Sequence, residues 1–379
     1  MSDFQKVINK LLNGKRLKLP FSYNPSSLSY RDDLKDRFDN FLSRVDKFKN
    51  EGDVESFFFE RKDEIHNLCD IIIDALDEYL SGSAGKAYDK IEHFFREDIV
   101  QEHIRYLVKP VANNNGSNRS LYRVRFSDAD LKERSHLFHI PFHMRNLVGT
   151  QRYSIAGLPC LYLGTSLYVC WQEMGKPDLN KLFLSRYQVQ SNSDVKVLNF
   201  AYSLETLKHT HLENFMVWDY DENDIGLQIA YIVFLPLLIA CSYNRAFESA
   251  NFHVEYIIPN LLLQWISKEK SQVSGISYYS TKTKQLRHSK IGVNFVFPPD
   301  TNSVRNEGFC SQLASQFYLT KPVSWQVLDT INEAPDIVNE TFSFSDDIEE
   351  GFVENYSATK FHKVEKFLND KLKVDSVSA

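Results

Sequence analysis

The sequence predicts an α/β (α+β) fold in which a small all-helical domain precedes a mixed domain of strands and helices. Apolar residues recur at helical spacing through the N-terminal third, whereas short strand-like runs alternate with apolar helices after residue 119. The chain has 379 residues, of which 43% are hydrophobic and 25% are charged, and both shares are typical of globular proteins. This length accommodates one large domain and a smaller companion.

Residues 1–115 are predicted to form the helical domain. Their apolar residues fall into three stripes, which run over positions 34–48, 54–80 and 87–95. Gly82 and Ser83 separate the second stripe from the third, because glycine ends helices and serine caps them. Three amphipathic helices need a surface that covers their apolar faces, so we expect this domain to act in regulation, dimerisation or partner binding.

The mixed domain is predicted over residues 119–330, after a turn-rich linker of sequence NNNGSN at positions 113–118. Strands are predicted at 121–126, 160–164, 183–189, 195–200, 276–279 and 293–297. Ser166 is expected to cap a helix that follows the second of these strands. A tail over residues 331–379 is predicted to end in a helix that Ser357 caps.

Composition and patterning argue against several classes of protein. A net charge of −6 argues against a dedicated nucleic-acid binder, and the five scattered cysteines predict neither a disulfide framework nor a metal knuckle. The N-terminus lacks the apolar core of a signal peptide, so a cytoplasmic location is expected. Residues 225–243 are predicted to be a buried helix rather than a membrane span, because Gln228 and Pro236 interrupt their apolar run.

Three histidines, His136, His139 and His143, have a spacing that suggests a metal site. Pro141 interrupts any helix that would align them, and no carboxylate lies at a recognisable ligand spacing. They are therefore predicted to be loop and surface residues, and no resident metal or cofactor is expected.

The most specific pattern lies at positions 149–174, GTQRYSIAGLPCLYLGTSLYVCWQEM. An Arg-Tyr pair precedes a Gly-Leu-Pro turn, an apolar strand with a tyrosine, and a helix with a glutamate. Together with an arginine in the strand LYRVRF and a serine in GISYYSTKT, this order resembles the RES family, which is named for Arg, Glu and Ser. The matching residues are Arg123, Arg152, Tyr153, Tyr162, Glu173 and Ser280, with Tyr153 in place of the family's usual Trp.

The resemblance implies an ADP-ribosyltransferase-like catalytic domain that takes NAD as its substrate and cleaves the nicotinamide–ribose bond. Arg123 and Arg152 would then grip the pyrophosphate, whose oxygens match the forked donors of a guanidinium. Glu173 would stabilise the positive charge that develops on the ribose as nicotinamide departs.

The remaining residues of the pattern would orient the substrate. Tyr153 and Tyr162 would shape the pocket for the nicotinamide ring, and Ser280 would fix the pose of the substrate by hydrogen bonding. The acceptor is left open between phosphate, water and a protein side chain, so NAD phosphorylase, NAD glycohydrolase and ADP-ribosyltransferase all remain. Because many relatives are toxins restrained by an antitoxin, we expect a toxin or phage-defence role with a partner protein. The oligomeric state is left open.

Two further hypotheses belong to other functional classes. Arg61 and His66 have the Arg-x4-His spacing of HEPN-type RNases, whose helical domains accompany some RES domains. The other hypothesis is a non-enzymatic module that binds NAD without turnover.

Overall fold

The computed structural model describes residues 11, 17, 19–49, 53–112, 120–202, 225–269, 272–282, 291–300, 308–329 and 355–378. The helices of these residues are α1 (Tyr30–Val45), α2 (Asp53–Glu60), α3 (Lys62–Leu80), α4 (Ala84–Phe95), α5 (Asp98–Leu107), α6 (Leu167–Glu173), α7 (Ile225–Val233), α8 (Leu235–Cys241), α9 (Ile257–Lys268), α10 (Ser311–Gln316), α11 (Trp325–Asp329) and α12 (Lys360–Lys371). The strands are β1 (Val108–Pro110), β2 (Leu121–Phe126), β3 (Leu161–Gly164), β4 (Leu182–Val189), β5 (Lys196–Phe200), β6 (Gly275–Tyr279), β7 (Val293–Phe297), β8 (Phe317–Leu319) and β9 (Val323–Ser324).

The α+β fold class is confirmed, because the described strands form a mixed nine-stranded sheet accompanied by helices. The strand order is β1-β5-β6-β7-β3-β2-β4-β8, and β9 pairs with β4. The six predicted strands are β2 to β7, and each agrees with its prediction to within one residue at either end. Strands β1, β8 and β9 were not predicted, because two or three residues are too few to show an alternating pattern.

The chain divides into two compact units. Unit 1 comprises residues 1–109, 148–158 and 196–276, and unit 2 comprises residues 110–147, 159–195 and 277–379. The predicted linker at 113–118 and residues 331–354 of the predicted tail lie outside the described residues. The division into domains at 1–115, 119–330 and 331–379 therefore stays a prediction.

The predicted amphipathic helices are present in unit 1. Helix α1 buries the predicted stripe of Leu34, Phe38, Phe41 and Val45. The second stripe forms two helices, α2 and α3, rather than one. Helix α3 ends before Gly82, whose φ of +92° lies in the left-handed region that glycine adopts without strain. The predicted break between the second and third stripes is therefore confirmed.

The apolar residues 225–243 form two short helices in unit 1, α7 and α8, instead of the single helix predicted. Pro236, in the first turn of α8, lacks the backbone N–H that would continue the hydrogen bonding of α7. Every residue of α8 is buried, which confirms the prediction of a core position. None of the helices that the structure describes is long and apolar enough to cross a membrane.

Strand β2 lies between β3 and β4 in unit 2 and pairs antiparallel with both. Tyr122 of β2 is opposite Gly164 of β3, and Arg123 of β2 is opposite Ser185 of β4. The side chain of Tyr122 is buried, whereas that of Arg123 is only partly buried. The alternation of β2 therefore presents Arg123 on the face opposite to the apolar cluster that contains Tyr122.

Helix α6 begins three residues after β3 and packs closely on it. The hydroxyl of Ser166 accepts a hydrogen bond from the backbone N–H of Val169 at 3.0 Å, so the predicted cap is confirmed. A Cβ atom at Gly164 would lie 2.6 Å from both Cys170 Sγ and Val169 Cγ1. Glycine at the end of β3 therefore permits the close approach of α6.

The C-terminal helix α12 begins at Lys360, and its cap is Thr359 rather than the predicted Ser357. The Thr359 hydroxyl accepts a hydrogen bond from the backbone N–H of His362 at 3.2 Å. Thr359 has the extended backbone that a capping residue needs, with φ −77° and ψ 154°, whereas Ser357 lies inside a 3₁₀ turn.

Candidate active site

Arg123 is a partly buried cation in unit 2 that lacks a carboxylate partner among the described residues. Its Nη1 donates a hydrogen bond to the main-chain oxygen of Tyr162 at 3.0 Å. Its Nε is buried and has no hydrogen-bond partner. Burial lowers the pKa of the guanidinium, the charge of Arg125 lowers it further, and the only opposing influences are weak acids such as Tyr187 and Cys170. The positive charge of Arg123 therefore has no counter-charge among the described residues.

Tyr162 lies beside Arg123 in unit 2, because its main-chain oxygen accepts the hydrogen bond from the Arg123 guanidinium. It lies on β3, opposite Val296 of β7. Burial raises the pKa of its hydroxyl well above the usual value, and the neighbouring Cys160 and Tyr278 act in the same direction. The hydroxyl is therefore neutral at physiological pH. The structure thus brings two of the predicted site residues, Arg123 and Tyr162, into direct contact.

Glu173, the last residue of α6, has a carboxylate that two side chains hold in place. Asn294 Nδ2 donates to Glu173 Oε1 at 2.7 Å, and Lys282 Nζ lies 3.6 Å from Glu173 Oε2. Lys282 also donates to the main-chain oxygen of Glu173. The side chain of Glu173 keeps 29% of its surface exposed, so the carboxylate is oriented and still open to a ligand.

Ser280 is linked to Glu173 through Lys282, which forms hydrogen bonds with both residues. It is buried directly after β6, and its N–H donates to the main-chain oxygen of Gly292 at 2.9 Å. Its hydroxyl accepts a hydrogen bond from the backbone N–H of Lys282 at 3.2 Å. We call Glu173, Ser280, Lys282 and Asn294 the Glu173 cluster. Two of its members, Glu173 and Ser280, come from the predicted set.

Two members of the Glu173 cluster, Lys282 and Asn294, are absent from the predicted site. Asn294 could have been noticed, because a single amide in the otherwise apolar run VNFVF needs a polar partner when the strand is buried. Lys282 carries no comparable signal, since a lysine in the polar segment after a strand is ordinarily a solvated residue.

Arg152 and Tyr153, the remaining predicted residues, lie in unit 1 and are buried there. Arg152 Nη1 donates to the main-chain oxygen of Cys241 at 2.9 Å, and its guanidinium carbon lies 5.2 Å from the ring centroid of Tyr256. Tyr153 is only 1% exposed, and its hydroxyl bonds to the side chain of Cys241. Both side chains contribute to the core of unit 1, and their assignment to NAD binding stays a prediction.

His139 lies in a loop as expected, but the expectation that it is a surface residue is wrong, because it is only 1% exposed. Its Nδ1 donates to the main-chain oxygen of Ile140 at 2.8 Å, and its Nε2 accepts from the backbone N–H of Cys310 at 2.8 Å. Burial lowers the pKa of this imidazole to about 4, so it is neutral and fully hydrogen-bonded. Among the described residues, no group of His, Cys, Asp and Glu side chains is arranged to hold a metal ion.

Arg61 and His66, the pair with RNase-like spacing, each lie beside a carboxylate in unit 1. Arg61 Nε is 3.6 Å from Glu64 Oε2, and His66 Nε2 is 2.9 Å from Asp46 Oδ1. These contacts do not test RNase activity, which stays a hypothesis.

The comparisons with known proteins give one informative relative. A protein of Bacillus subtilis (strain 168) described as "Putative toxin YopC" is 29% identical over 341 residues, which cover 87% of this chain and 74% of that protein. No protein-family model matches the chain, and no solved structure matches it.

Proposed function

We propose that this chain is a toxin that consumes NAD by breaking the bond between nicotinamide and ribose. The observation that carries the proposal is Arg123, whose guanidinium is partly buried without a described carboxylate partner. The burial of a charge without a counter-charge costs on the order of several kcal/mol. A pyrophosphate would supply that charge, because its oxygens match the forked Nη donors of a guanidinium, of which Arg123 directs Nη1 to the main chain of Tyr162.

Glu173 supplies the second requirement, a carboxylate for the charge that develops on the ribose. The bond between the ribose carbon and the nicotinamide nitrogen breaks, and its electron pair neutralises the pyridinium. The sugar carbon becomes electron-deficient, and a carboxylate held ready in place stabilises it without reorganising. Asn294 provides this preorganisation, because its amide donates a hydrogen bond to Oε1 of Glu173. The other carboxylate oxygen, Oε2, lies 3.6 Å from Lys282 Nζ.

The acceptor completes the reaction, and its identity sets the product. A water, a phosphate or a side-chain hydroxyl forms the new bond to the ribose carbon and releases a proton. Ser280 is proposed to orient the substrate through its hydroxyl, which the backbone N–H of Lys282 already holds in one direction. The residues described here favour no one acceptor, so phosphorolysis, hydrolysis and transfer to a protein all belong to the proposal.

The toxic role is supported by the name of the Bacillus subtilis relative, with which this chain shares 29% of its aligned residues. Loss of NAD would arrest growth, which is how such an enzyme would act as a toxin or in phage defence. A partner protein that restrains the enzyme in the producing cell is part of this proposal.

The test is NAD consumption by the purified full-length protein, with products identified by mass, in the presence and absence of phosphate. We expect wild type to release nicotinamide, and Glu173→Gln to lower turnover at least about hundredfold, as the loss of preorganised charge stabilisation does elsewhere. Glu248→Gln is the matched control, because Glu248 is an exposed glutamate that pairs with Arg245 in unit 1. NAD loss that is equal in wild type and Glu173→Gln, or absent in wild type, would contradict the proposal.

A further inference from the structure

Residues 355–371, which comprise the turn that contains Tyr356 and helix α12, pack against α6, the helix that carries Glu173. We call these residues the C-terminal segment. Helix α12 packs its apolar face against a core of unit 2 that includes residues of β2, β4 and α6. The members of this core are Tyr122, Val124, Leu167, Leu182, Leu184, Trp325, Leu328, Val364 and Leu368. Phe361 adds aromatic contacts to Tyr168 and Trp171 of α6, at centroid distances of 5.3 and 5.5 Å.

One buried and one partly buried polar contact join α12 to the two elements that carry Glu173 and Arg123. Glu365 Oε1 accepts a hydrogen bond from the backbone N–H of Leu167 at 2.6 Å, and Leu167 is the first residue of α6. Asn369 Nδ2 donates to the hydroxyl of Tyr122 at 2.8 Å, next to Arg123 on β2. Helix α12 therefore forms a hydrogen bond with the first residue of α6, the helix whose last residue is Glu173.

A second donor completes the environment of Glu365, which is 6% exposed. The hydroxyl of Tyr356, in the turn before α12, donates to the same oxygen, Glu365 Oε1, at 2.6 Å. The other oxygen, Oε2, lies 3.9 Å from His362 Nδ1, and no lysine or arginine among the described residues forms an ion pair with Glu365. This buried acid thus receives two neutral donors and lacks a cationic partner in the described part of the chain.

We propose that Glu365 is a positioning residue for Glu173, and that its protonation controls how tightly the C-terminal segment is docked on α6. A protonated carboxyl keeps Oε1 as an acceptor for both donors and carries its proton on Oε2. An ionised carboxyl keeps the same two bonds but places an unpaired negative charge in the core, which favours undocking.

The charge of Glu365 changes near neutral pH. Burial raises the pKa of this carboxyl from 4.5 to about 7, although the bonds from Tyr356 and Leu167 oppose the rise. The neighbouring hydroxyls and thiol stay neutral between about pH 6 and pH 8, because burial raises the pKa of Tyr122, Tyr356 and Cys170. Burial lowers the pKa of His362, which favours its neutral form. Glu365 is therefore the acid of this set that changes its charge in that window.

The sign of the effect follows from proton linkage. The docked segment binds a proton more tightly than the undocked one, so docking is favoured below the pKa of the exposed carboxyl and weakens as pH rises through about 7. With pKa values of 4.5 when undocked and about 7 when docked, the ratio of undocked to docked segments rises about tenfold between pH 6 and pH 8.

Hydrogen exchange of the full-length protein, read by mass spectrometry on peptides that contain residues 167–173 and 360–371, tests the coupling directly. After correction for intrinsic exchange, we expect both peptides of wild type to exchange about tenfold faster at pH 8 than at pH 6. Glu365→Gln keeps an acceptor oxygen but cannot ionise, so its exchange should be independent of pH and slower than that of wild type at pH 8.

The matched control is Glu255→Gln, in unit 1. Glu255 is also buried, and its Oε1 accepts a hydrogen bond from the backbone N–H of Ala246 at 2.9 Å. This variant should keep the pH dependence of wild type in both peptides. Exchange of wild type that does not change with pH, or an unchanged pH dependence in Glu365→Gln, would overturn the inference.

The effect on turnover rests on the proposed function and is measured separately. If wild type consumes NAD, its kcat should fall between pH 6 and pH 8 as the C-terminal segment undocks, with a smaller change in KM. The kcat of Glu365→Gln should not fall over this range. If wild type consumes no NAD, the proposed function fails while the exchange experiment still decides the role of Glu365. A kcat that has the same pH profile in both proteins would contradict the positioning of Glu173.

Discussion

Arg123 and Arg152 match the same pattern in the sequence, but the two units give them different surroundings. The guanidinium of Arg152 is buried in unit 1, where it bonds to the main chain of Cys241 and lies over the ring of Tyr256. The guanidinium of Arg123 in unit 2 has one main-chain partner and a buried Nε without any. We expect these different hydrogen-bond partners to distinguish an arginine that stabilises the core from one that binds a ligand.

Replacement of Arg123 should have the largest effect on activity. We expect Arg123→Met to lower kcat/KM for NAD about hundredfold, because hydrogen bonds to charged groups contribute up to about 3 kcal/mol. The free energy of unfolding should change little, because the removal of a buried charge without a described carboxylate partner offsets the loss of the hydrogen bond to Tyr162. Steady-state kinetics and urea unfolding measure the two quantities, and a large loss of stability would assign Arg123 to the core instead.

Arg152→Met should give the opposite result. Its removal leaves the carbonyl of Cys241 without its donor, so the free energy of unfolding should fall by about 2 kcal/mol. Arg96→Met is the control in the same unit, because Arg96 is exposed and pairs with Glu92 on a helix surface, a contact that contributes less than about 1 kcal/mol. If Arg152→Met instead unfolds like wild type and raises KM for NAD, the distinction between the two arginines is wrong.

Asn294 tests whether the Glu173 cluster differs from ordinary polar contacts. Asn294→Ala should lower kcat about tenfold with little change in KM, because the carboxylate of Glu173 loses the donor that orients it. Asn244→Ala, which removes an amide bonded to Ser22 in unit 1, should leave kcat unchanged. Equal effects of the two substitutions would mean that Asn294 has no special relation to catalysis.

The positions of the longer helices and strands could be predicted from the sequence, whereas contacts between side chains that are distant in the chain could not. Strand β2 and the stripe of α1 follow from local periodicity, and the predicted cap Ser166 needs only the three residues that follow it. The burial of His139 depends on Cys310, and the orientation of Glu173 depends on Asn294, more than a hundred residues away. Single polar residues give no local signal for such contacts, so the sequence predicted Glu173 but missed the side chains that hold it.

Tyr153→Phe should have the smallest effect and gives the finest test of the comparison. The hydroxyl of Tyr153 bonds to the side chain of Cys241 in the core of unit 1, so its loss should lower the free energy of unfolding by about 1 kcal/mol. KM for NAD should not change, because a ring with 1% exposure presents no face to a ligand. The family resemblance implies that this ring helps to shape the nicotinamide pocket, which predicts a higher KM instead. Kinetics of this one variant therefore decide whether the segment that contains Arg152 and Tyr153 binds substrate or stabilises unit 1.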